Sequence, residues 1–351
     1  MKWAQYQALR GAKNGPTPMT DWQMPPEWAE HTATWMGFPT GAYDTSGITD
    51  DDAFGAWSSV ANRISEHEPV SMLCHPDQIS IAKRALSSAV TLHPFMIDDA
   101  WLRDSGPTFV TGGGKLAGIN WVFNGWGDHT AFDWRNDALV ANHIIELVGA
   151  SRVDSELVNE GGGITVNGMG DVILTKTVQL DPGRNPSRSA HWIEEEIHKH
   201  LGTTRATWFE RGLWRDYQDH GTRGHVDMVA AFAPDGSVLL HRQFDTSHPD
   251  NALWDEHCSV LEAAGFRVRA MPAPRVTRDN TSWVDYSYIN HYVGNGFVLV
   301  PGFADRTDEH AVEILKDLYP DRHVESLDAR VIFAMGGGIH CITQQQPAVM
   351  N

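Results

Sequence analysis

Cys341 stands in the run Gly336-Gly337-Gly338-Ile339-His340-Cys341-Ile342-Thr343, and it is one of three cysteines in 351 residues. Cys74 ends an apolar run and Cys258 shares a helical spacing with Leu253, Trp254 and Leu261, where a buried structural thiol is expected. Cys341 follows three glycines, which let backbone pass close to a ligand, and leads into the polar Gln344-Gln345-Gln346-Pro347 tail. A lone cysteine in that setting, with His and acid motifs far upstream, is a candidate nucleophile. Its thiol is mostly protonated at neutral pH and needs activation. His340, the glycine-loop amides or a cationic substrate could supply it, and Gly338 is a candidate substrate contact.

Gly224-His225-Val226-Asp227 is the second motif. In a strand, residues i and i+2 face the same way, so His225 and Asp227 are expected to project into one cleft. An imidazole there can shuttle protons and the carboxylate can hold a cation. In Trp101-Leu102-Arg103-Asp104-Ser105-Gly106-Pro107, Asp104 can accept two parallel hydrogen bonds from a guanidinium. Trp101 can supply an apolar wall or a cation–π face. Glu160-Gly161-Gly162-Gly163 adds another carboxylate beside permissive backbone. Each motif also has a blander reading: a core cysteine, a structural His–Asp pair, an Arg103–Asp104 pair with a core tryptophan, a glycine-rich turn. The glycine runs lack GxGxxG spacing and a P-loop lysine, so phosphate binding is not expected. Only a loosely placed His220 could join His225 and Asp227 on a metal, and no CxxC occurs, so no catalytic metal is expected.

These motifs sit at equivalent places in a repeat. Met228–Phe232, the turn Pro234-Asp235-Gly236 and Ser237–His241 read as a hairpin, Asn251–Ala264 as a helix and Phe266–Met271 as a third strand. The β-β-α-β order recurs from Pro107, from Gly163 (helix beginning near Ser189) and from His291 (helix capped by Thr307). A fifth unit is split between the ends. Ala329–Ala334 and Ile339–Thr343 are expected to form its hairpin, completed by Ala33–Phe38, Ala53–Ile64 and Pro69–Leu73. Repeats of this period suggest a radial or solenoidal array. Asp104, Glu160, His225, Asn290 and His340-Cys341 each stand just before a first strand. Equivalent positions in a ring of modules converge on its axis.

The composition narrows the partners. A net charge of −18 makes nucleic acid and anionic membrane poor partners and favours a small cation. An odd number of cysteines without framework spacing fits a reducing compartment. With neither a signal peptide nor a membrane span in view, a cytoplasmic protein is expected.

The motifs together resemble the agmatine deiminases of the peptidylarginine-deiminase-like, guanidine-modifying superfamily. The resemblance covers nearly the whole chain. It rests on Met24-Pro25-Pro26-Glu27-Trp28, Trp101–Pro107, Phe123-Asn124-Gly125-Trp126-Gly127, Glu160-Gly161-Gly162, Arg184-Asn185-Pro186, Gly224–Asp227 and Gly336–Gln345. It implies a single domain over residues 1–351, an α/β five-bladed propeller of ββαβ modules with pseudo-fivefold symmetry (the pentein fold). It also implies hydrolysis of agmatine to N-carbamoylputrescine and ammonia, on the way to putrescine. Asp104 and Asp227 would hold the guanidinium, assisted by Glu160. Cys341 would attack its carbon to give an amidino-thioether, with His225 as acid and then base. No organic cofactor or metal is implied, and a homo-oligomer is left open.

Two flanks depart from the family pattern. Arg223 stands where Asn or Asp is usual before Gly-His-Val-Asp, and Met228 where Asn is usual after it. Gly163 replaces a usual Ser or Asn. Arg223 facing the substrate's far end would repel an ammonium and attract a carboxylate. Turned to solvent, or paired with Asp216 or Asp219, it would do neither. The alternatives are therefore a deiminase of another guanidino compound, an amidinotransferase, or a guanidinium-binding protein without catalysis.

Overall fold

Tight turns cut the chain into hairpins, and a helix follows each one. The computed structural model describes residues 22–41, 47–128, 133–218, 221–279 and 282–349. Strand β4 (Thr108–Gly112) pairs antiparallel with β5 (Lys115–Val122) across Gly113 and Gly114, which turn at φ 54° and 71°. Helix Val140–Leu147 then carries the chain back, and β6 (Ser151–Val158) joins β5 in parallel. A parallel neighbour needs such a crossover, whereas an antiparallel one needs only a turn.

The same order recurs three times. The second sheet uses β7 (Thr165–Val166), β8 (Asp171–Thr175), helix Ala190–Leu201 and β9 (Arg205–Phe209). The third uses β10 (Ala230–Phe232), β11 (Ser237–Arg242), helix Leu253–Ala263 and β12 (Arg267–Pro272). The fourth uses β13 (Tyr292–Gly294), β14 (Phe297–Gly302), helix Asp308–Leu318 and β15 (His323–Asp328). The result is a mixed α/β fold of small, similar sheets.

The fifth sheet joins distant parts of the chain, in the order β16-β1-β2-β3. Strand β16 (Thr343–Pro347) runs antiparallel to β1 (His31–Gly37), with Trp35 opposite Gln344. Helix Asp50–Ile64 leads to the parallel β2 (Val70–Cys74), and β3 (Val90–Pro94) adds an outer strand. The hairpin expected from Ala329–Ala334 and Ile339–Thr343 does not form. Arg330–Ala334 is a helix, started by the Asp328 carboxylate accepting the Arg330 N–H at 3.1 Å, and it buries Ile332 and Phe333. Residues 339–342 form a turn, which frees Cys341 from a ladder and lets it face inward.

Caps and apolar stripes explain the helices. Thr49 and Asp52 form a reciprocal capping box ahead of Asp50–Ile64, and Phe54, Trp57, Ala61 and Ile64 share its buried face. Each large apolar side chain so buried contributes about 1.5–3 kcal/mol. Ser189 caps the Trp192 N–H, and its helix stops at Gly202 in the left-handed region, φ 66°. Thr307 makes no such cap. There the Asp308 carboxylate accepts from Phe303 N–H at 3.2 Å and Asp305 N–H at 3.1 Å. Among the described residues, no helix is long and apolar enough to cross a membrane.

Candidate active site

The segment leading into the first strand of each sheet delivers a polar side chain to one place. Asp104 lies on the helical turn Leu102–Ser105, and Glu160 precedes the tight turn Gly161–Gly163. His225 and Asp227 flank Val226 at the turn Val226–Met228, Asn290 precedes β13, and His340 and Cys341 precede β16. All are buried. His225 and Asp227 are not on a strand, as the alternation argument expects. Val229 N–H closes a 3-10 turn on Val226 O at 2.9 Å, and both side chains face the cluster from that turn.

Asn290 ties the nucleophile to the acids. Its Nδ2 donates at 3.2 Å to Cys341 Sγ and at 3.2 Å to Asp227 Oδ2, while its Oδ1 accepts His340 N–H at 3.0 Å. Cys341 Sγ lies 3.6 Å from Asp227 Oδ2 and receives the Gly338 N–H. His340 bridges two carboxylates, with Nδ1 2.8 Å from Asp227 Oδ2 and Nε2 2.7 Å from Glu27 Oε1. Arg103 does not pair with Asp104. It staples the nucleophile loop, donating from Nε to His340 O at 3.2 Å and from its backbone N–H to Cys341 O at 3.1 Å.

The opposite wall holds the other acids. Asp104 accepts Trp126 Nε1–H at 2.8 Å and Gly162 N–H at 3.0 Å. His225 stands between Asp104, 3.7 Å from Nδ1, and Glu160, 3.3 Å from Nε2. Glu160 in turn accepts Arg184 Nε–H at 2.9 and 3.0 Å.

Glycines let these groups crowd together where a side chain could not. A Cβ on Gly162 would lie 2.5 Å from His225 Nδ1, 3.0 Å from Asp104 Oδ1 and 3.1 Å from Asp227 Oδ2. A Cβ on Gly337 would lie 2.6 Å from the Trp101 ring and 3.2 Å from Cys341 Sγ. At Gly338 a Cβ would strike Asn290 Oδ1 and the Phe333 ring. The triple glycine therefore serves close packing of the thiol, the tryptophan and the amide. Trp101 is held by its own Nε1–H donating to Asp99 Oδ2 at 3.0 Å and by an edge contact with Trp57.

Burial and neighbouring charge set the proton affinities. Burial raises the Cys341 thiol well above its usual value, and Asp227 and Asp104 push it further; the Gly338 amide and Asn290 oppose them. Burial works against charge on His225, but Asp104, Glu160 and Asp227 outweigh it and hold its pKa at about 9. Burial also disfavours charge on Glu160, yet Arg184 and His225 bring its pKa to about 2. Asp227 is likewise lowered against burial, by His340 and then His225. Asp104 is raised, chiefly by burial and by its two acidic neighbours, against the pull of His225. At neutral pH the site thus holds a neutral thiol, an imidazolium and the ionised carboxylates of Glu160 and Asp227. A planar cation entering between Asp104 and Asp227 would offset the field that keeps the thiol protonated.

Arg223 lies apart from the thiol. Its Nη1 donates to Asp181 Oδ1 at 2.9 Å, its N–H donates to Asp216 O at 2.8 Å, and Asp219, like His220, lies outside the described residues. Met228 is buried, and its carbonyl accepts the Ser287 hydroxyl at 2.8 Å. Among the described residues no group of three or more His, Cys, Asp or Glu side chains could hold a metal ion. Glu27, Trp126 and Arg184 belong to the motifs of the resemblance and Arg103 flanks Asp104, but their spacing gave no role to any of them. Asn290 was placed toward the axis by its position in the repeat, and it joins the site there.

The sequence profile of the family described as Porphyromonas-type peptidyl-arginine deiminase matches residues 23–347. The Streptomyces coelicolor protein named "Putative agmatine deiminase" is 49% identical over 339 residues, covering 93% of this chain and 98% of that one. Agmatine deiminase of Stutzerimonas stutzeri is 35% identical over 363 aligned residues, covering 95% of this chain and 97% of that one. The solved structure of agmatine deiminase of Enterococcus faecalis superposes with a TM-score of 0.89 at 28% identity, covering 96% of this chain and 99% of that one.

Proposed function

The chain belongs to the Porphyromonas-type peptidyl-arginine deiminase family, and from that premise we propose that it hydrolyses agmatine to N-carbamoylputrescine and ammonia. The observation that carries the reading is the convergence of Asp104, Asp227 and His225 around Gly162, with the Cys341 thiol 3.6 Å from Asp227 Oδ2. Two carboxylates so placed beside a thiol would form a slot for a flat cation, with its carbon against the sulfur.

In this mechanism Asp104 and Asp227 hold the guanidinium and aim its carbon at sulfur, a positioning effect. The incoming cation favours the thiolate, whose proton leaves toward Asp227 Oδ2. Cys341 Sγ bonds to the guanidinium carbon, and His225 gives its proton to the departing nitrogen as the C–N bond breaks and ammonia forms. The amidino-thioether then meets water. His225 takes one of the water's protons and oxygen bonds to carbon; the C–S bond then breaks, the remaining hydroxyl proton passes to solvent as C=O forms, and the sulfur regains the proton held by Asp227, giving the thiol and the carbamoyl product. Glu160 steadies the imidazolium throughout, Trp101 walls the slot and the Gly338 amide supports the sulfur anion. Acid and base duties fall to one group at different times.

The five similar sheets support a five-bladed propeller of ββαβ modules in a single unit spanning the chain. Three cysteines, all free, suit a reducing cytoplasm. Arg223 is engaged by Asp181, which favours agmatine over a carboxylate-bearing guanidine. Ammonia release from agmatine, arginine, guanidino acids and arginyl peptides tests the proposal. Agmatine should be the preferred substrate, and a panel with no ammonia or carbamoyl product would sink it.

A further inference from the structure

Arg223 occupies a backbone conformation that arginine rarely takes, φ 68°, beside a glycine that also turns the left-handed way. Its neighbours hold it there. Thr222 O accepts Arg184 Nη2–H at 2.8 Å and Thr222 Oγ1 accepts His225 N–H at 3.1 Å. The side chain then starts an alternating series of charges. Asp181 Oδ1 accepts Arg223 Nη1–H at 2.9 Å, and its Oδ2 accepts Arg184 Nη1–H at 2.7 Å. Arg184 Nε–H reaches both oxygens of Glu160, and Glu160 Oε2 faces His225 Nε2 at 3.3 Å. The Asp181, Arg184, Glu160 and His225 side chains are 1% exposed or less, whereas that of Arg223 is 41% exposed. Of the five, Arg223 alone meets solvent.

We propose that Arg223 is a positioning residue that sets the proton affinity of His225 through Asp181, Arg184 and Glu160. The inference rests on the reading of His225 as the acid and base of the deimination. Each inner charge in the series is shared between two partners. With Arg223 gone, Asp181 keeps the Gly183 N–H at 2.9 Å but has Arg184 as its one charged partner, and draws that guanidinium away from Glu160. Glu160 then turns more of its charge on the imidazolium and makes it a weaker acid. Loss of one positive charge acts in the same direction. The other groups facing His225 stay in place: Asp104 from its helical turn, Asp227 from the same turn as His225, and Asp216 from the turn Trp214–Tyr217. Only the Glu160 arm changes. This assigns Arg223 to the chemistry of the leaving nitrogen and not to the far end of the substrate.

Arg223→Asn removes the charge with a residue that tolerates the left-handed backbone, and Arg223→Lys keeps the charge. In Arg223→Asn, the alkaline limb of kcat/KM for agmatine should move up by roughly half a pH unit, and kcat/KM at neutral pH should fall about 3–10-fold. Arg223→Lys should restore most of both. The KM ratio between agmatine and a carboxylate-bearing guanidine should not change. His225 should also titrate higher by NMR when Arg223→Asn is placed in the Cys341→Ser background. An unmoved limb and titration in Arg223→Asn would overturn the proposal, as would a lysine variant that matches the asparagine one. If the wild type deiminates nothing, the functional reading fails, and the NMR titration still decides whether Arg223 acts on His225.

Discussion

His340 Nδ1 sits 2.8 Å from Asp227 Oδ2, the same oxygen that lies 3.6 Å from the Cys341 sulfur. The imidazole is pinned on its other side by Glu27, and burial and Arg103 lower its proton affinity less than Glu27 and Asp227 raise it. A charged donor therefore holds Asp227 in place beside the nucleophile. His340→Gln should loosen that carboxylate and raise KM for agmatine more than it lowers kcat. Losing one charged hydrogen bond costs about 1.5–3 kcal/mol, or roughly 10–100-fold in kcat/KM. Steady-state kinetics check it, and an unchanged KM would remove His340 from this role.

Cys341→Ser should abolish ammonia release, by about a thousandfold or more, because an alkoxide is far harder to form than a thiolate. Agmatine should still bind, since the carboxylates remain. Calorimetry or ligand-dependent Tm should detect that binding, and mass spectrometry of quenched wild type should detect the amidino adduct.

Gly162→Ala should cost about 1–3 kcal/mol of stability by overpacking a buried cluster, and more in catalysis. Its Cβ would approach His225 Nδ1 to 2.5 Å, so the imidazole must shift or the slot must close. Displacement on that scale costs about a hundredfold in rate. A wild-type-like Tm with normal kcat/KM would show that the slot is not used.

The pH dependence follows from His225. Its folded pKa of about 9 exceeds the 6.5 of a free imidazole, so its charge stabilises the fold fully below about 6.5. That contribution fades as pH rises through about 9, and kcat/KM should fall over the same range. Urea unfolding of wild type and His225→Asn at pH 6, 8 and 10 should show the gap between them shrinking upward.

Glu160 carries the opposite sign. Its folded pKa of about 2 lies below the 4.5 of a free glutamate side chain, so its stabilisation is present above about 4.5 and lost as pH falls toward 2. Glu160→Gln leaves the fully buried Arg184 with Asp181 as its remaining carboxylate, and breaking one such buried pair costs up to about 3–5 kcal/mol. Unfolding midpoints at pH 7 and pH 3 should show a large difference at the first and a smaller one at the second.

Much of this was readable beforehand because a repeat and its turns are local. Strand pairs, crossover helices and the placement of Asp104, Glu160, His225 and Cys341 ahead of first strands all follow from spacing and turn residues. The exceptions were decided by contacts that spacing does not encode. Ala329–Ala334 has a strand's composition, but Asp328 starts a helix there and Ile332 and Phe333 find an apolar face. His225-x-Asp227 looked like strand alternation, and a 3-10 turn achieves the same convergence. Arg103 looked like the partner of Asp104, yet the nucleophile loop, more than 230 residues away, claims it. Arg184 and Trp126 acquire roles only once distant loops meet.

The pairing of β1 with β16 has a consequence for the chain as it is made. Strand β1 emerges early from the ribosome and must wait for Thr343–Pro347 before its antiparallel edge is satisfied. The thiol sits at the entry to that same late strand. A polypeptide released before this point lacks both the seam and the Cys341 sulfur. An interrupted translation product would miss the proposed nucleophile together with the strand that completes the sheet.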